Sequence, residues 1–477
     1  MPRSSRQHPP GRVLAEEVAT SATPGELIDA LAAQPAPALL DSSALDMRYG
    51  RYTVLACRPA DAVIVRDGHV TDAAGGVPEG PTVIDRLRAV LGRYRATGPA
   101  PLPYGPGWIG FVGYEFGRNL ERLPGRAVRD TSLPDLHLAF YDATAVYDAI
   151  GKRWTLLWLD RPESARTREA LREVLLSGAG RGEPAAPADR ASAAALPAVE
   201  ATSNFAPDAY RRAVARCVEY IAAGDIFQVN LSQRFTVPDA PPPLEIYKLL
   251  RRRNPAWYSA MLLLEGAAVL SSSPELFLRI RGRKVLTRPI KGTRPRTGDA
   301  RADAEAAAAL VASEKDNAEL AMIIDLLRND LGRVCRFGTV RVPNRRELET
   351  HPTVFHLVGS VVGELRDEVD VADVLAATFP GGSITGAPKI RAMEIIDELE
   401  PVARGVYTGA IGWIGADGDA ELNIVIRTVV WDAGTAHVQV GGGIVADSTP
   451  DGEYQETLDK ARALLEAMAM ARGGTGL

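Results

Sequence analysis

Cysteine is scarce in this chain. Three of 477 residues are cysteine (Cys57, Cys217 and Cys335), an odd number and widely spaced. That excludes a disulfide framework and a cysteine-based metal centre, and it suits a reducing compartment. Long apolar runs are missing too: no stretch approaches the ~18 residues that a membrane-spanning helix needs. The basic, proline-rich start, MPRSSRQHPPG, is not followed by an apolar segment, so it reads as a frayed tail and not as a secretory signal. The expected location is the cytoplasm. Neither charge is in excess: basic residues number 55 and acidic residues 60, a net charge of −5. Nucleic acid and anionic membrane are therefore not expected partners. No internal repeat is present.

What is present is the balance of an ordinary globular protein, 46% hydrophobic and 24% charged. VYDAIGKRWTLLWLD, from Val146 to Asp160, predicts two strands around a Gly-Lys turn, and ESARTREALREVLLS after it predicts a helix. The following run, GAGRGEPAAPADRASAAALPAVEA, is too poor in large apolar side chains to order itself. The expected organisation is a disordered tail at 1–15, an N-terminal domain at 16–176, a flexible linker at 177–203 and a second domain at 204–472. The second domain opens on a helix over Pro207–Ala223, with Tyr210, Val214, Val218 and Ile221 as its apolar stripe. Phe227, Val229 and Leu231 then alternate with Gln228, Asn230 and Ser232, predicting a strand with one apolar and one polar face. Further helices are predicted over Ser313–Leu331, after Gly386 and from Pro450 onward. Strands and helices intermingle without a strict βαβ rhythm, so the expected fold is α+β with large, mostly antiparallel sheets packed with helices.

Several stretches could carry chemistry. On the helix to Leu331, Leu320, Ile323, Ile324, Leu327 and Leu331 form a buried stripe, and Glu319 falls at its edge. A carboxylate there needs a cation, which an arginine or a metal ion would supply. On the last helix Glu453, Glu456 and Lys460 share one face, so Glu319 and Glu456 together would suit Mg²⁺. FPGGSITGAPKIRAMEII places Gly381, Gly382, Ser383 and Thr385 at a predicted helix start, where free N–H groups favour an anion or simply a cap. Gly441, Gly442 and Gly443 end a strand, which suits close approach to a ligand or a bulge. Arg427 sits inside an apolar strand in ELNIVIRTVV and calls for an anion, from a ligand or a glutamate. His356 precedes an apolar run and reads as a core histidine or a site group. Glu275 follows Pro274 in a turn between strands and could cap or catalyse. TRPIKGTRPR, Thr287 to Arg296, sets one titratable amine, Lys291, among three arginines.

These pieces, in this order, resemble the chorismate-utilising enzymes. The matching text is GDIFQVNLSQRF, SSSPELF, RPIKGTRPR, DNAELAMIIDLLRNDLGRV, HPTVFHLVGSVVGEL, FPGGSITGAPKIRAMEII, GVYTGAIGW, ELNIVIRT, VQVGGGIVADS and EYQETLDKA, spanning nearly all of 205–470. The first 200 residues match more loosely, through LLDSS and GWIGFVGYEFGR. Within the family, the aminodeoxychorismate synthase component I branch reads PIKGT, as here. The anthranilate synthase component I branch reads PIAGT. Isochorismate and salicylate synthases carry a water-activating lysine where this chain has Gln228.

The resemblance implies a chorismate-aminating enzyme making 4-amino-4-deoxychorismate. The alternatives are anthranilate synthase component I and a silent regulatory subunit that binds chorismate or an amino acid. It implies that Glu319 and Glu456 hold Mg²⁺, and that Gly292, Thr293, Ser383, Thr385, Tyr407, Arg427, Gly441, Gly442, Gly443 and Lys460 bind the substrate. Glu275, Lys291 and His356 become the catalytic candidates. Lys291 is expected to attack the ring as a neutral amine, its pKa lowered by burial and by repulsion from Arg288, Arg294 or Arg296. None of the three cysteines lies in a glutaminase-like Gly-x-Cys-x-Gly setting. Ammonia is therefore expected from a separate glutamine amidotransferase subunit. LLDSS, with Ser42, resembles a tryptophan-holding segment, and NPAW at Asn254–Trp257 matches its companion in part.

Overall fold

The computed structural model of the chain describes residues 9–98, 100–178, 199–351 and 354–473. Its strands form where β-branched and aromatic residues alternate, and the Val146–Asp160 stretch shows how. Ala143–Asp148 and Arg153–Leu159 pair antiparallel, with Trp154 opposite Tyr147. Lys152 takes φ 48° in the turn between them. The buried Trp154 indole donates to Ala22 O at 2.7 Å, so its large apolar surface is buried without an orphaned donor.

Two sheets result. The thirteen-stranded sheet runs Thr202–Ser203, Gln228–Val237, Thr435–Ile444, Thr428–Asp432, Ala267–Ser273, Tyr258–Leu264, Ala38–Asp41, Tyr52–Ala56, Ala143–Asp148, Arg153–Leu159, Gly11–Val18, Ala96–Thr97, with Gly386–Ala387 added beside Gln228–Val237. The eleven-stranded sheet runs Ile290–Pro295, Val354–Glu364, Lys284–Arg288, Leu276–Arg281, Ala420–Asn423, Ala410–Gly415, Gly107–Val112, Leu136–Tyr141, Asp61–Arg66, His69–Asp72, with Arg341–Thr350 added beside Val354–Glu364. Pairing is antiparallel throughout except for the short Gly11–Val18 to Ala96–Thr97 contact. This is the α+β architecture expected.

The sheets face each other across a core that includes Val54, Val146 and Val269 from one and Ile109, Phe111 and Ile411 from the other. Helices cover the outer faces. Val83–Leu91, Glu314–Gly332 and Val371–Thr378 pack on the eleven-stranded sheet. Pro24–Ala32, Ser164–Ser177, Pro243–Arg253 and Pro450–Arg472 pack on the other. Each Leu or Phe buried in these layers contributes about 1.5–3 kcal/mol.

Several expectations shift. Both sheets take strands from both sides of the 177–203 segment, so the two stretches share cores instead of standing apart. The tail expected through residue 15 ends sooner, because Gly11–Val18 satisfies its backbone against Arg153–Leu159. Within the expected linker, 179–198 lie outside the described residues, while Thr202 and Ser203 pair with Thr236 and Phe235. Phe227 does not belong to the apolar face of the strand that begins at Gln228. It lies just before the strand and is 70% exposed. The polar face of that strand is buried too, since it turns into the space between the sheets. Among the described residues no helix is long and apolar enough to cross a membrane.

Candidate active site

Lys291 lies on Ile290–Pro295, which pairs with Val354–Glu364 through a register shift between Lys291 and Thr293. Gly292 makes that bulge at φ 77°, where a Cβ would come within 2.8 Å of Asp316 and Leu310 side-chain atoms. A glycine is the residue that fits. The bulge turns the half-buried Lys291 side chain inward, and its Nζ donates to Ser383 O at 3.0 Å. The Ser383 hydroxyl donates to Glu275 Oε1 at 2.6 Å. One residue thus ties the amine to the acid. Glu275 is 4% exposed. Burial raises its pKa, against the opposing pull of Ser383, Lys291, Ile290 N–H and Arg427. Burial likewise lowers the pKa of Lys291, helped by Lys460 and opposed by Glu319, Glu275 and Glu456.

The arginines of the same stretch do not supply the expected repulsion. Arg288 is paired with Glu349 at 2.5 Å and Glu347 at 3.2 Å. Arg294 pairs with Asp316 at 3.0 Å and Arg296 with Asp303 at 3.3 Å. Each guanidinium is neutralised locally, so desolvation leads.

His356 stands on the neighbouring strand, opposite Thr293, and its Nδ1 lies 2.9 Å from Thr293 Oγ1. Its Nε2 is buried without a hydrogen-bond partner. Burial, then the charge of Arg427 and the proximity of His351, hold its pKa well below the usual value, so the ring is neutral. Arg427 is not inside a strand as expected. It sits at φ 51° between Ala420–Asn423 and Thr428–Asp432. Among the described residues its guanidinium has no ion pair or hydrogen bond. Burial pulls its pKa down and Glu275 opposes this. A half-buried arginine without an ion pair suits an anion.

The three glycines end Thr435–Ile444, in register with Gln228–Val237. Gly441 and Gly443 face the space between the sheets, opposite Ser232 and Asn230. A Cβ on Gly443 would lie 2.4 Å from Gln228 Nε2 and 3.6 Å from Lys291 Nζ. Gly442 faces outward, where a Cβ would lie 2.8 Å from Glu453 Oε2 and 3.4 Å from Glu456 Oε1. Lys460 donates to Gly441 O at 2.7 Å and pairs with Glu456 at 2.7 Å.

Glu319, on Glu314–Gly332, is half-buried and has no ion pair or hydrogen bond among the described residues. Burial raises its pKa, opposed by Lys291 and Lys315, and Glu456 adds to the rise. Glu456, its side chain 50% exposed, is pushed up by burial but brought below the usual value by Lys460, Lys315 and Lys291. The two acids, from two helices, therefore face one space with Lys291. A hard divalent cation fits them, because Glu319 has no ion pair of its own among the described residues. Among the described residues no three His, Cys, Asp or Glu side chains converge, so such an ion would draw its other ligands from water and substrate.

The anion seat expected at a helix start is rearranged. Gly382–Ile384 form a short turn, Gly386–Ala387 a strand, and the helix begins only at Lys389. Pro388, which has no N–H to extend the helix backward, stands before it. Ser383 serves instead as the Lys291–Glu275 link. The Thr385 hydroxyl is committed to Gly381 O at 2.9 Å. Tyr407 walls off a second cavity. Ser42 lines a separate small cavity with Trp257, Tyr258 and Glu421. Its hydroxyl lies 2.7 Å from Tyr52 O and 3.1 Å from Trp257 O.

Sequence reasoning did not place Gln228 in the site. It is 0% exposed with both amide atoms unpaired, and its standing where isochorismate and salicylate synthases carry a water-activating lysine was the available signal. Glu453, buried and bonded by Ser448 Oγ at 2.6 Å, was likewise left without a role.

The family model described as chorismate binding enzyme matches residues 44–466. An anthranilate synthase component 1 of Haloarcula marismortui is 44% identical over 390 residues, covering 79% of this chain and 78% of that protein. An aminodeoxychorismate synthase component 1 of Klebsiella aerogenes is 37% identical over 449 residues, covering 92% and 95%. The solved anthranilate synthase component I of Streptococcus pneumoniae TIGR4 superposes with a TM-score of 0.75 at 32% identity, covering 88% of this chain and 94% of that one.

Proposed function

Because this chain belongs to the chorismate-binding enzymes, we propose that it aminates chorismate to 4-amino-4-deoxychorismate, on the route to p-aminobenzoate. The observation that carries this reading is the amine of Lys291, tied through Ser383 to the buried acid Glu275. The anthranilate branch of the family has alanine at that position and could not use it. Among the unbonded cations and polar atoms around Lys291, Arg427 is suited to a substrate carboxylate.

In the first step the neutral Lys291 amine adds to C2 of the ring, the ring double bonds shift, and the C4 hydroxyl leaves as water with the proton of Glu275. In the second, ammonia adds at C4, the double bonds shift back, and Lys291 leaves C2 as the neutral amine. The new ammonium group returns one proton to Glu275. Chorismate and ammonia thus become aminodeoxychorismate and water. Burial favours the reactive form of both groups, a protonated acid and an uncharged amine. His356, kept neutral, is placed to orient Thr293. Glu319 and Glu456 would hold Mg²⁺, which supplies a positive seat for a substrate carboxylate when bound.

Ammonia has to come from a partner, a glutamine amidotransferase subunit. Cys57 and Cys217 have thiols pushed up to about 12, and Cys335 to about 11, each by burial. A buried thiol of that kind is a poor nucleophile, which supports an external source.

Anthranilate synthase is the second reading, favoured by the 44% identity to the Haloarcula protein. One assay separates them: purified chain, chorismate, Mg²⁺ and ammonium at alkaline pH, read by mass spectrometry. Aminodeoxychorismate retains the enolpyruvyl group. Anthranilate has lost it and fluoresces, and its appearance would displace the proposal. Lys291→Ala is expected to abolish most product, and unaltered turnover would remove the covalent step.

A further inference from the structure

His356 keeps Nε2 open although a carboxylate stands directly beside it. At His356, Val354–Glu364 runs between two strands, with Thr293 opposite on one side and Glu349 opposite on the other. Residues directly opposite each other in a sheet share a face, their Cβ atoms about 4.5–5.5 Å apart. Glu349 is buried. A buried carboxylate at that range takes a donor within reach and favours the charged form of a neighbouring imidazole. Yet His356 Nε2 has no hydrogen-bond partner among the described residues, and the ring is neutral. Something must hold Glu349 off.

Two groups draw the Glu349 carboxylate away. Arg288, from Lys284–Arg288, brings Nη2 to 2.5 Å from Oε1. His351 Nε2 lies 3.3 Å from Oε2. A carboxylate only accepts, so His351 is the donor. The backbone at His351 is pinned from both sides: its N–H donates to Val354 O at 2.9 Å, and Arg296 Nη1 donates to its carbonyl at 2.9 Å. The buried His351 ring packs against two others. Its centroid is 4.2 Å from that of Trp257 and 4.9 Å from that of His356, the second pair meeting edge to face at 71°, a favoured aromatic arrangement. His351 therefore touches both the carboxylate and the imidazole. The remaining neighbours of His356 do not compete for this role. Ile290–Pro295 offers it Thr293 Oγ1 and the Gly292 carbonyl, and Arg427 is a cation.

We propose that His351 is a positioning residue for His356: it keeps the Glu349 carboxylate turned from its cross-strand neighbour and steadies the imidazole, so that Nε2 stays free for substrate. The use of Nε2 by substrate rests on the amination reading, and the arrangement of the three side chains does not. The test reads the ring itself. In the full chain carrying nitrogen-15 histidine, proton–nitrogen NMR spectra across about pH 5–9 follow each imidazole, and the signals lost in His356→Asn identify His356. His351→Phe keeps a ring in the slot but offers Glu349 no donor. The carboxylate then turns to His356, whose titration midpoint should rise by at least about one pH unit, into the measured range. His351→Gln loses the ring but keeps an N–H for Glu349, and the His356 midpoint should stay close to that of wild type. In the ammonium assay His351→Phe should lower kcat about tenfold, as for one hydrogen bond lost at the transition state, with the chorismate KM within about twofold and the melting temperature close to wild type. An unshifted His356 midpoint in folded His351→Phe would overturn the proposal whatever the rate. So would a raised midpoint in folded His351→Gln, which decides the matter should the phenylalanine variant not fold. A wild-type chain that makes no aminated product removes the amination reading alone, because the NMR comparison does not depend on turnover.

Discussion

Replacing Glu275 by glutamine should stabilise the fold and destroy the activity. The acid and the amine are needed in the protonation states opposite to their ordinary ones, whose pKa values are 4.5 and 10.5. Groups left at those values, about six pH units apart, would both be in the reactive state in about one molecule per million at any pH between them, a penalty of about 8 kcal/mol. Each pH unit by which burial closes that gap recovers a factor of about ten. The same burial costs stability. A carboxyl whose folded pKa is raised stabilises the fold fully below its ordinary value, and that contribution is lost as pH rises through the folded value. At pH 8 the charged Glu275 is therefore a burden, worth about 1.4 kcal/mol for every tenfold weakening of its acidity. With an unfolding entropy of ~2.1 cal/mol/K per residue, 477 residues convert each such tenfold step to a melting rise of about 1 °C. Glutamine keeps an oxygen for the Ser383 hydroxyl, now 2.6 Å from Glu275 Oε1. Calorimetry should show Glu275→Gln melting higher than wild type at pH 8 and not at pH 4.5. The ammonium assay should show kcat/KM lower by about 10²–10⁴ through loss of the acid. Losing this anion also lowers the Lys291 pKa further, so the residual rate, which rises with pH as the amine loses its proton, levels off at a lower pH. A variant that melts lower at pH 8, or keeps activity within tenfold, would refute the reasoning.

Gly443→Ala places a methyl 2.4 Å from the Gln228 amide and 3.6 Å from Lys291 Nζ. Overpacking of this kind costs about 1–3 kcal/mol. Circular dichroism should show a folded protein with a lowered melting point, and turnover should fall at least about tenfold. Glu319→Gln should weaken Mg²⁺ binding about tenfold or more, read as loss of the Mg²⁺-induced rise in melting temperature with chorismate present. An undiminished rise would remove Glu319 from the cation seat.

Local periodicity and motif spacing were enough for much of this fold. The stripe from Leu320 to Leu331 and the Gly-Lys turn before Arg153 needed only neighbours in sequence, and both form as expected. Glu275, Lys291, Glu319, Glu456 and the glycine run were legible as motif positions. Long-range pairing was not. That Ala38–Asp41 would pair with Tyr258–Leu264 depends on register across more than 200 residues, which no local pattern encodes. The same limit explains the arginines of TRPIKGTRPR. As a string they crowd Lys291, but along the strand alternate side chains part company, and Glu347, Glu349, Asp316 and Asp303 arrive from elsewhere to pair with them. Pro388 was visible, yet its consequence, a helix starting after the glycines instead of at them, required the surrounding strand Gly386–Ala387.

Burial and charge alone do not separate a catalytic group from a structural one here. Arg404 and Glu400 are as buried as Glu275, at 4% and 3% exposure against 4%. Arg404, however, donates to Glu400, Ile384 O, Thr408 Oγ1 and Asn230 O. Every valence is met, so the pair locks the fold and has nothing left to offer a substrate. Around Lys291 the pattern is the reverse. Among the described residues Arg427 and Glu319 make no ion pair or side-chain hydrogen bond, and the Gln228 amide and His356 Nε2 have no hydrogen-bond partner. A buried polar group left unpaired costs about 1–3 kcal/mol. The buried Gln228 amide and His356 Nε2, with the half-buried Arg427 and Glu319 beside them, together cost an appreciable share of the ~5–15 kcal/mol that holds a domain folded. A polar, anionic ring bearing oxygens would answer Arg427, the Gln228 amide and His356 Nε2 together, and a divalent cation would answer Glu319, which makes the deficit itself the physical mark of the candidate site.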